Sequence, residues 1–278
     1  MCSMAEPISA SVVGWGVVSG ATQAYKNREG FLGAWDWFAK NFWRKTRIAV
    51  TGPAGVGKTV LCDALTERTN ATYIPPGQSE QVEHRKRRLQ KKRLEFIVLP
   101  GQNAQARIEG ETSLLKKPVD GIIYASSFGF ATVRDEVAKR KLIAEGQNTI
   151  EKFREAQNHV DLDHLEHTIG HVRTMFSMHS KPHWIIVAVT KLDLLSERDK
   201  HLAEEHYSPR GSGPFAAKMN SLLRRLGEDR FGWSVMPVCA RREDFSWNDA
   251  VVPSHLSPDG SAESVQHFLT HVERRCAE

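Results

Sequence analysis

The stretch Gly52-Pro53-Ala54-Gly55-Val56-Gly57-Lys58-Thr59 limits what this chain can fold into more than any other part of it. Before it stands RIAVT, residues 47–51, a short β-branched run. After it comes TVLCDALTER, in which Val60, Leu61, Ala64 and Leu65 recur at helical spacing. In that strand-loop-helix setting the pattern Gly, four residues, Gly-Lys-Thr carries a mechanism. The glycines let the main chain wrap close to phosphate, and the helix start turns the N–H groups from Ala54 to Thr59 toward one anion. Gly52, Ala54, Gly55, Val56, Gly57, Lys58, Thr59 and Val60 are therefore candidate phosphate contacts. The Lys58 ammonium would face the β- and γ-phosphates, and the Thr59 hydroxyl would ligate Mg2+.

Further apolar runs recur at LEFIVL (94–99), GIIYAS (121–126), HWIIVAVT (183–190) and WSVMPVCA (233–240), separated by helical or loop segments. Continuous apolar strands alternating with helices predict an α/β fold with a mostly parallel sheet covered on both faces. Between the first helix and LEFIVL, Val82, His84, Lys86 and Arg88 alternate with Glu83, Arg85, Arg87 and Leu89. That pattern predicts an exposed edge strand entering a hairpin. The segment from about Thr132 to Ser180 is long, charged and helical in pattern, an enlarged helical connection.

Thr190-Lys191-Leu192-Asp193 closes the apolar run HWIIVAV. Here the sequence resembles the Ras- and Era-type guanine-nucleotide-binding proteins, which carry an Asn/Thr-Lys-x-Asp motif at this place. The resemblance implies that Asp193 reads guanine N1 and N2, that the Lys191 stem covers the base plane, and that Thr190 stands where Asn is commoner. VCAR, 238–241, matches the family's short Ser-Ala-Lys-like segment, which places Ala240 and Arg241 at the base, with the Ala240 N–H toward guanine O6. FIVLPGQ, 96–102, falls where the family has Asp-x-x-Gly, often followed by Gln. Gly101 and Gln102 are kept, but Val98 replaces the acid.

By the resemblance Gly101 meets the γ-phosphate and Gln102 orients the attacking water, so Gln102 and Lys58 are the candidate catalytic residues. The missing acid ordinarily holds Mg2+ through a bound water, and losing such a partner costs about 10- to 100-fold in metal affinity or activity. Glu95 lies on the opposite side of an alternating strand and does not replace it. Ser79, with Thr72 as the other candidate, stands where the family has a Thr that meets Mg2+ in the triphosphate state.

The resemblance covers about residues 46–278. It implies a three-layer P-loop NTPase fold with a six-stranded sheet, one antiparallel edge strand and an enlarged helical connection before the fifth strand. It also implies GTP/GDP and Mg2+ as ligands, and slow hydrolysis in a molecular switch for a protein partner. A non-hydrolysing GTP-binding adaptor is the alternative that Val98 favours. An ATP-using P-loop enzyme predicts indifference to the side chain at Asp193.

Composition adds bounds. At 278 residues and 40% hydrophobic content the chain can bury a full core, and its net charge of +5 is milder than that of a dedicated nucleic-acid binder. The basic run HRKRRLQKKR, 84–93, has no aromatic interleaving and fits a solvated edge hairpin better than a nucleic-acid surface. Four scattered cysteines without C-x-x-C spacing suit a reducing cytoplasm, and residues 1–25 hold no Lys or Arg, unlike a secretory signal.

Residues 1–45 form an aromatic-rich, helical extension outside the nucleotide domain. In it Phe31, Trp35, Phe38 and Phe42 share one helical stripe. Packing on its own domain, docking to a protein partner and peripheral membrane contact all remain open for it. His164, His167 and His171 share helical spacing in DLDHLEHTIGH and read as a wet helix face, not a metal site.

Overall fold

The structure, a computed structural model, describes residues 45–69, 73–74, 81–88, 93–101, 109–110, 112–115, 117–178 and 182–277. Gln102, Ser79, Thr72 and the aromatic stripe of the N-terminal extension lie outside the described residues. The described residues belong to one compact unit, Lys45–Leu89 with Arg93–Glu278.

A six-stranded sheet of order β2-β3-β1-β4-β5-β6 forms its middle layer. The strands are β1 (Lys45–Thr51), β2 (Glu83–Arg88), β3 (Arg93–Val98), β4 (Gly121–Ser126), β5 (Trp184–Val189) and β6 (Gly232–Pro237). All neighbours pair in parallel except β2, which runs antiparallel to β3 at the edge. The five parallel strands are apolar because helices cover both faces. On one face Ile48, Val50, Phe96, Val98 and Ile123 pack with Leu61 and Leu65 of α1 (Lys58–Leu65) and with Phe268 and Val272 of α6 (Pro258–Arg275). On the other, Ile122, Tyr124, Ile185 and Val187 meet α3 (Ile150–Ser177), α4 (Glu197–Tyr207) and α5 (Pro214–Leu226).

The enlarged connection before β5 consists of α2 (Glu136–Ala144) and α3. Asp135 caps α2 by accepting from the Val137 N–H, and Thr149 caps α3 by accepting from the Lys152 N–H. The β2 alternation is as the sequence predicts, and the basic side chains on its α1 side are matched. Arg85 bonds Asp63 of α1 at 2.6 Å, and Arg87 bonds Glu67 at 2.7 Å and the Leu65 carbonyl at 2.6 Å.

Two details depart from the sequence reading. WSVMPVCA is a strand only as far as Pro237, and after it a small separate hairpin of β7 (Phe245–Trp247) and β8 (Ala250–Val252) forms. The histidine face of α3 is not uniformly wet. His164 is buried, with its ring edge-on to Tyr124 at 5.7 Å, whereas His167 is exposed. The apolar ring edge explains this, since imidazole packs well once a neighbour supplies an apolar or hydrogen-bonding surface.

Candidate functional site

The loop between β1 and α1 has the backbone its glycines permit. Gly52, Gly55 and Gly57 take φ of 137°, 74° and 90°. A Cβ at Gly52 would stand 2.1 Å from the Ala125 carbonyl oxygen, and one at Gly55 would stand 2.3 Å from that of Thr132. The loop is thus clamped against the end of β4 and the segment after it. Gly57 precedes α1, and neither a capping side chain nor a first-turn acid competes for the helix start. A helix start left so is an anion site by its dipole and its N–H groups.

Lys58 is buried and folds back over the loop, donating to the Gly52 and Pro53 carbonyl oxygens at 2.8 and 2.7 Å. Burial lowers its pKa to about 7. Gly101 lies against the same loop. A Cβ there would come within 2.7 Å of Lys58 Nζ and 2.8 Å of Ala54 N, so Gly101 packs directly on the glycine loop. Val98, three residues earlier, is 1% exposed within the α1-side core.

The second half of the site stands at the ends of β5 and β6. Thr190 is buried; its hydroxyl lies 2.6 Å from the Val56 carbonyl and 2.9 Å from that of Ser126, and it has one proton to give them. Thr190 therefore ties the phosphate loop to the strand ends. Lys191 adopts a left-handed φ of 56°, and its ammonium donates to the Phe130 carbonyl and, at 2.7 Å, to Thr132 Oγ1. Burial lowers its pKa to about 8.

That turn feeds a 3-10 turn, Leu192–Leu194, which swings Asp193 inward. Asp193 is 2% exposed. Its Oδ2 accepts from the Glu243 N–H at 3.2 Å, while Oδ1 is buried without a hydrogen-bond partner among the described residues. A buried carboxylate oxygen left unmatched is costly unless a ligand donor completes it.

The VCAR segment sits beside it. Val238 N–H donates to Val189 O at 2.9 Å, and Leu192 N–H reaches Val238 O at 3.4 Å. Ala240 follows half-buried and Arg241 exposed, the latter 3.6 Å from Glu243. A six-stranded sheet with one antiparallel edge strand, a glycine loop between β1 and α1 and the Thr190–Leu194 turn after β5 define the architecture. The fold is a three-layer α/β fold of the P-loop NTPase kind.

Sequence reasoning missed the segment Ser126–Thr132, SSFGFAT, which supplies the Lys191 acceptors and a Thr132 N–H bond to Gly55 O at 3.0 Å. Phe128 and Phe130 there lie 5.3 and 4.2 Å from the Arg154 guanidinium, and Gly129 with φ 86° lets α3 approach. Its only signal was a glycine between two phenylalanines directly after an apolar strand.

Comparison with solved structures finds translation elongation factor SelB from Methanococcus maripaludis, in complex with the GTP analogue GPPNHP, at 14% identity and TM-score 0.43. The likeness covers 85% of this chain, which spans only 34% of that one. A second likeness is to Toc33 from Arabidopsis thaliana, a dimerization-deficient mutant, at 16% identity and TM-score 0.38, covering 88% of each chain. No family model and no curated protein matches the sequence.

The residues present fit a guanosine nucleotide. The glycine cradle admits only main chain, the α1 start offers donors, and the unmatched Asp193 Oδ1 faces the need for two N–H groups on one edge of a base. Thr59, at the first turn of α1, would be the residue to hold Mg2+. Among the described residues no cluster of three His, Cys, Asp or Glu forms a metal site of its own, and no helix is long and apolar enough to cross a membrane.

Proposed function

We propose that this chain binds GTP and GDP with Mg2+, hydrolyses GTP slowly, and works as a nucleotide switch for a protein partner. One observation carries the base preference: Asp193 presents a buried, unmatched carboxylate oxygen beside the strand end that Thr190 ties to the phosphate loop. Adenine offers no adjacent pair of N–H donors to a single carboxylate at this edge, and guanine does.

In this reading Lys58 leaves the Gly52 and Pro53 carbonyls to meet the β- and γ-phosphates, and the α1 N–H groups take the remaining oxygens. Gly101 stands where its N–H can follow the γ-phosphate. Mg2+, when bound, offsets charge on the phosphates, and Thr59 is its protein ligand. Gln102 positions the water, Ser79 joins Thr59 in the triphosphate state, and Ala240 and Arg241 complete the base side. The switch loops or residues 1–45 would meet the partner, and those same residues would make any peripheral membrane contact in a cytoplasmic setting.

A non-hydrolysing adaptor is the second reading, and the burial of Val98 in the apolar core favours it. Calorimetry with GDP and with ADP, followed by single-turnover GTP hydrolysis, tests both. Tight GDP binding, weak ADP binding and a measurable slow turnover are expected. GDP binding with no turnover would select the adaptor, and equal binding of ADP would overturn the guanine assignment.

A further inference from the structure

The residue opposite Val98 on the neighbouring strand is itself an acid. Val98 pairs directly with Glu83 across the antiparallel β2–β3 ladder. Opposite residues in such a ladder send their side chains to the same face, with Cβ atoms about 4.5–5.5 Å apart. Val98 points to the α1 side, where it packs with Leu61 and Val50, so Glu83 also leaves the sheet on the α1 side. Both stand at the end of the sheet where β1 passes into the phosphate loop, since Val50 is the β1 partner of Val98.

Glu83 is held there. Its carboxylate accepts from Arg85 at 2.7 Å, and Arg85 in turn bonds Asp63 of α1 at 2.6 Å. Its side chain is 21% exposed, so water reaches it. The buried Cys62 thiol, three residues beyond Thr59 on α1, is raised in pKa by burial first, and the charges of Glu83 and Lys58 both act on it. Glu83 is thus electrostatically close to the first turns of α1.

Competing acids are committed elsewhere. Glu95 leaves the opposite face and is bound to Lys45 at 2.7 Å as well as to Arg47 and His84. Asp63 is tied to Arg85 and to the Tyr73 hydroxyl at 2.7 Å.

We propose that Glu83, reaching across from β2, does the work of the absent β3 acid by accepting a hydrogen bond from a water of the Mg2+ that Thr59 holds. Arg85 keeps Asp63 when Glu83 turns to that water, so the exchange leaves no buried charge unmatched. The inference rests on reading the loop as a GTP and Mg2+ site, and it names the residue through which that site holds its metal despite Val98.

Two measurements test it on the full chain: GDP affinity by calorimetry in EDTA, and Mn2+ affinity of the protein–GDP complex by electron paramagnetic resonance of the free ion. For Glu83→Gln, GDP affinity in EDTA is expected to be unchanged and Mn2+ affinity to fall about 10- to 100-fold. Glu67→Gln, a change at an exposed acid just past the end of α1, should leave both values at wild type. If Glu83→Gln disturbs folding, Glu83→Asp keeps the charge, shortens the reach by one methylene and carries the same expectation. Unchanged Mn2+ affinity in a folded Glu83 variant that binds GDP would overturn the inference alone. Failure of the wild type to bind GDP in EDTA would overturn the nucleotide reading and this inference with it.

Discussion

Lys58 shows how much of the site's chemistry sits in single side chains. Its ammonium is held by two loop carbonyls, yet burial lowers its pKa to about 7. Near neutral pH it is thus only partly charged, and a triphosphate would favour the charged form and draw in a proton. Because the group binds its proton more tightly in the complex, nucleotide affinity should fall as pH rises above 7, approaching tenfold per unit. Calorimetry at pH 8.5 in buffers of different ionisation heat should show uptake approaching one proton, and a flat affinity between pH 7 and 9 would contradict it.

The identities of Gly52, Lys58 and Asp193 were legible in the sequence because each is tied to a short fixed pattern. The contacts of Thr132 and Phe130 to Lys191 were not, because they join residues about 60 positions apart, one through a hydroxyl and one through a backbone carbonyl, and leave no local pattern. Glu83 was legible only as one member of an alternating strand. Its place opposite Val98 needed the register.

Among elements, the long apolar strands and their parallel order followed from sequence because burial on both faces demands continuous apolar runs. The β7–β8 hairpin did not, since its strands are three residues each and hold position by tertiary packing. Trp247 stacks on Phe153 at 3.8 Å and donates its indole N–H to Gln147 O at 2.7 Å, joining the hairpin to α3. Trp247→Ala should cost roughly 3–5 kcal/mol in chemical denaturation, by the loss of a large buried ring. A cost under about 1 kcal/mol would show that the hairpin packs independently of α3.

The connection of α3 to β4 is polar. Asp161 is buried and accepts from Tyr124, Ser126 and Tyr207 hydroxyls at 2.8, 2.7 and 3.1 Å. Burial raises its pKa from 3.8 to about 6 against the pull of those three donors. A carboxyl raised in the folded state stabilises fully below its unfolded value, and that contribution is lost as pH rises through the folded one. Stability should therefore drop by about 2 kcal/mol between pH 4 and 6 from this group. Asp161→Asn should remove that part of the slope, as urea denaturation across the range would show, and an unaltered slope would contradict the assignment.

At the scale of the molecule, the same bonds form one connected path. Thr190 reaches Val56 in the phosphate loop and Ser126 at the end of β4, and Ser126 reaches Asp161 of α3. The enlarged helical connection is thereby fixed to the floor of the nucleotide site. On β2, Arg85 and Arg87 turn to the α1 side, where Asp63 and Glu67 match them, while His84, Lys86 and Arg88 face the other way and are exposed.

Base choice is the claim on which the rest depends, and it turns on one oxygen of Asp193. Affinities for GDP and XDP should be measured by calorimetry on the wild type and on Asp193→Asn. An amide at this position offers a donor where the carboxylate offers an acceptor, so preference should shift from GDP toward XDP by about 100-fold or more. Equal preference in the two proteins would contradict the account.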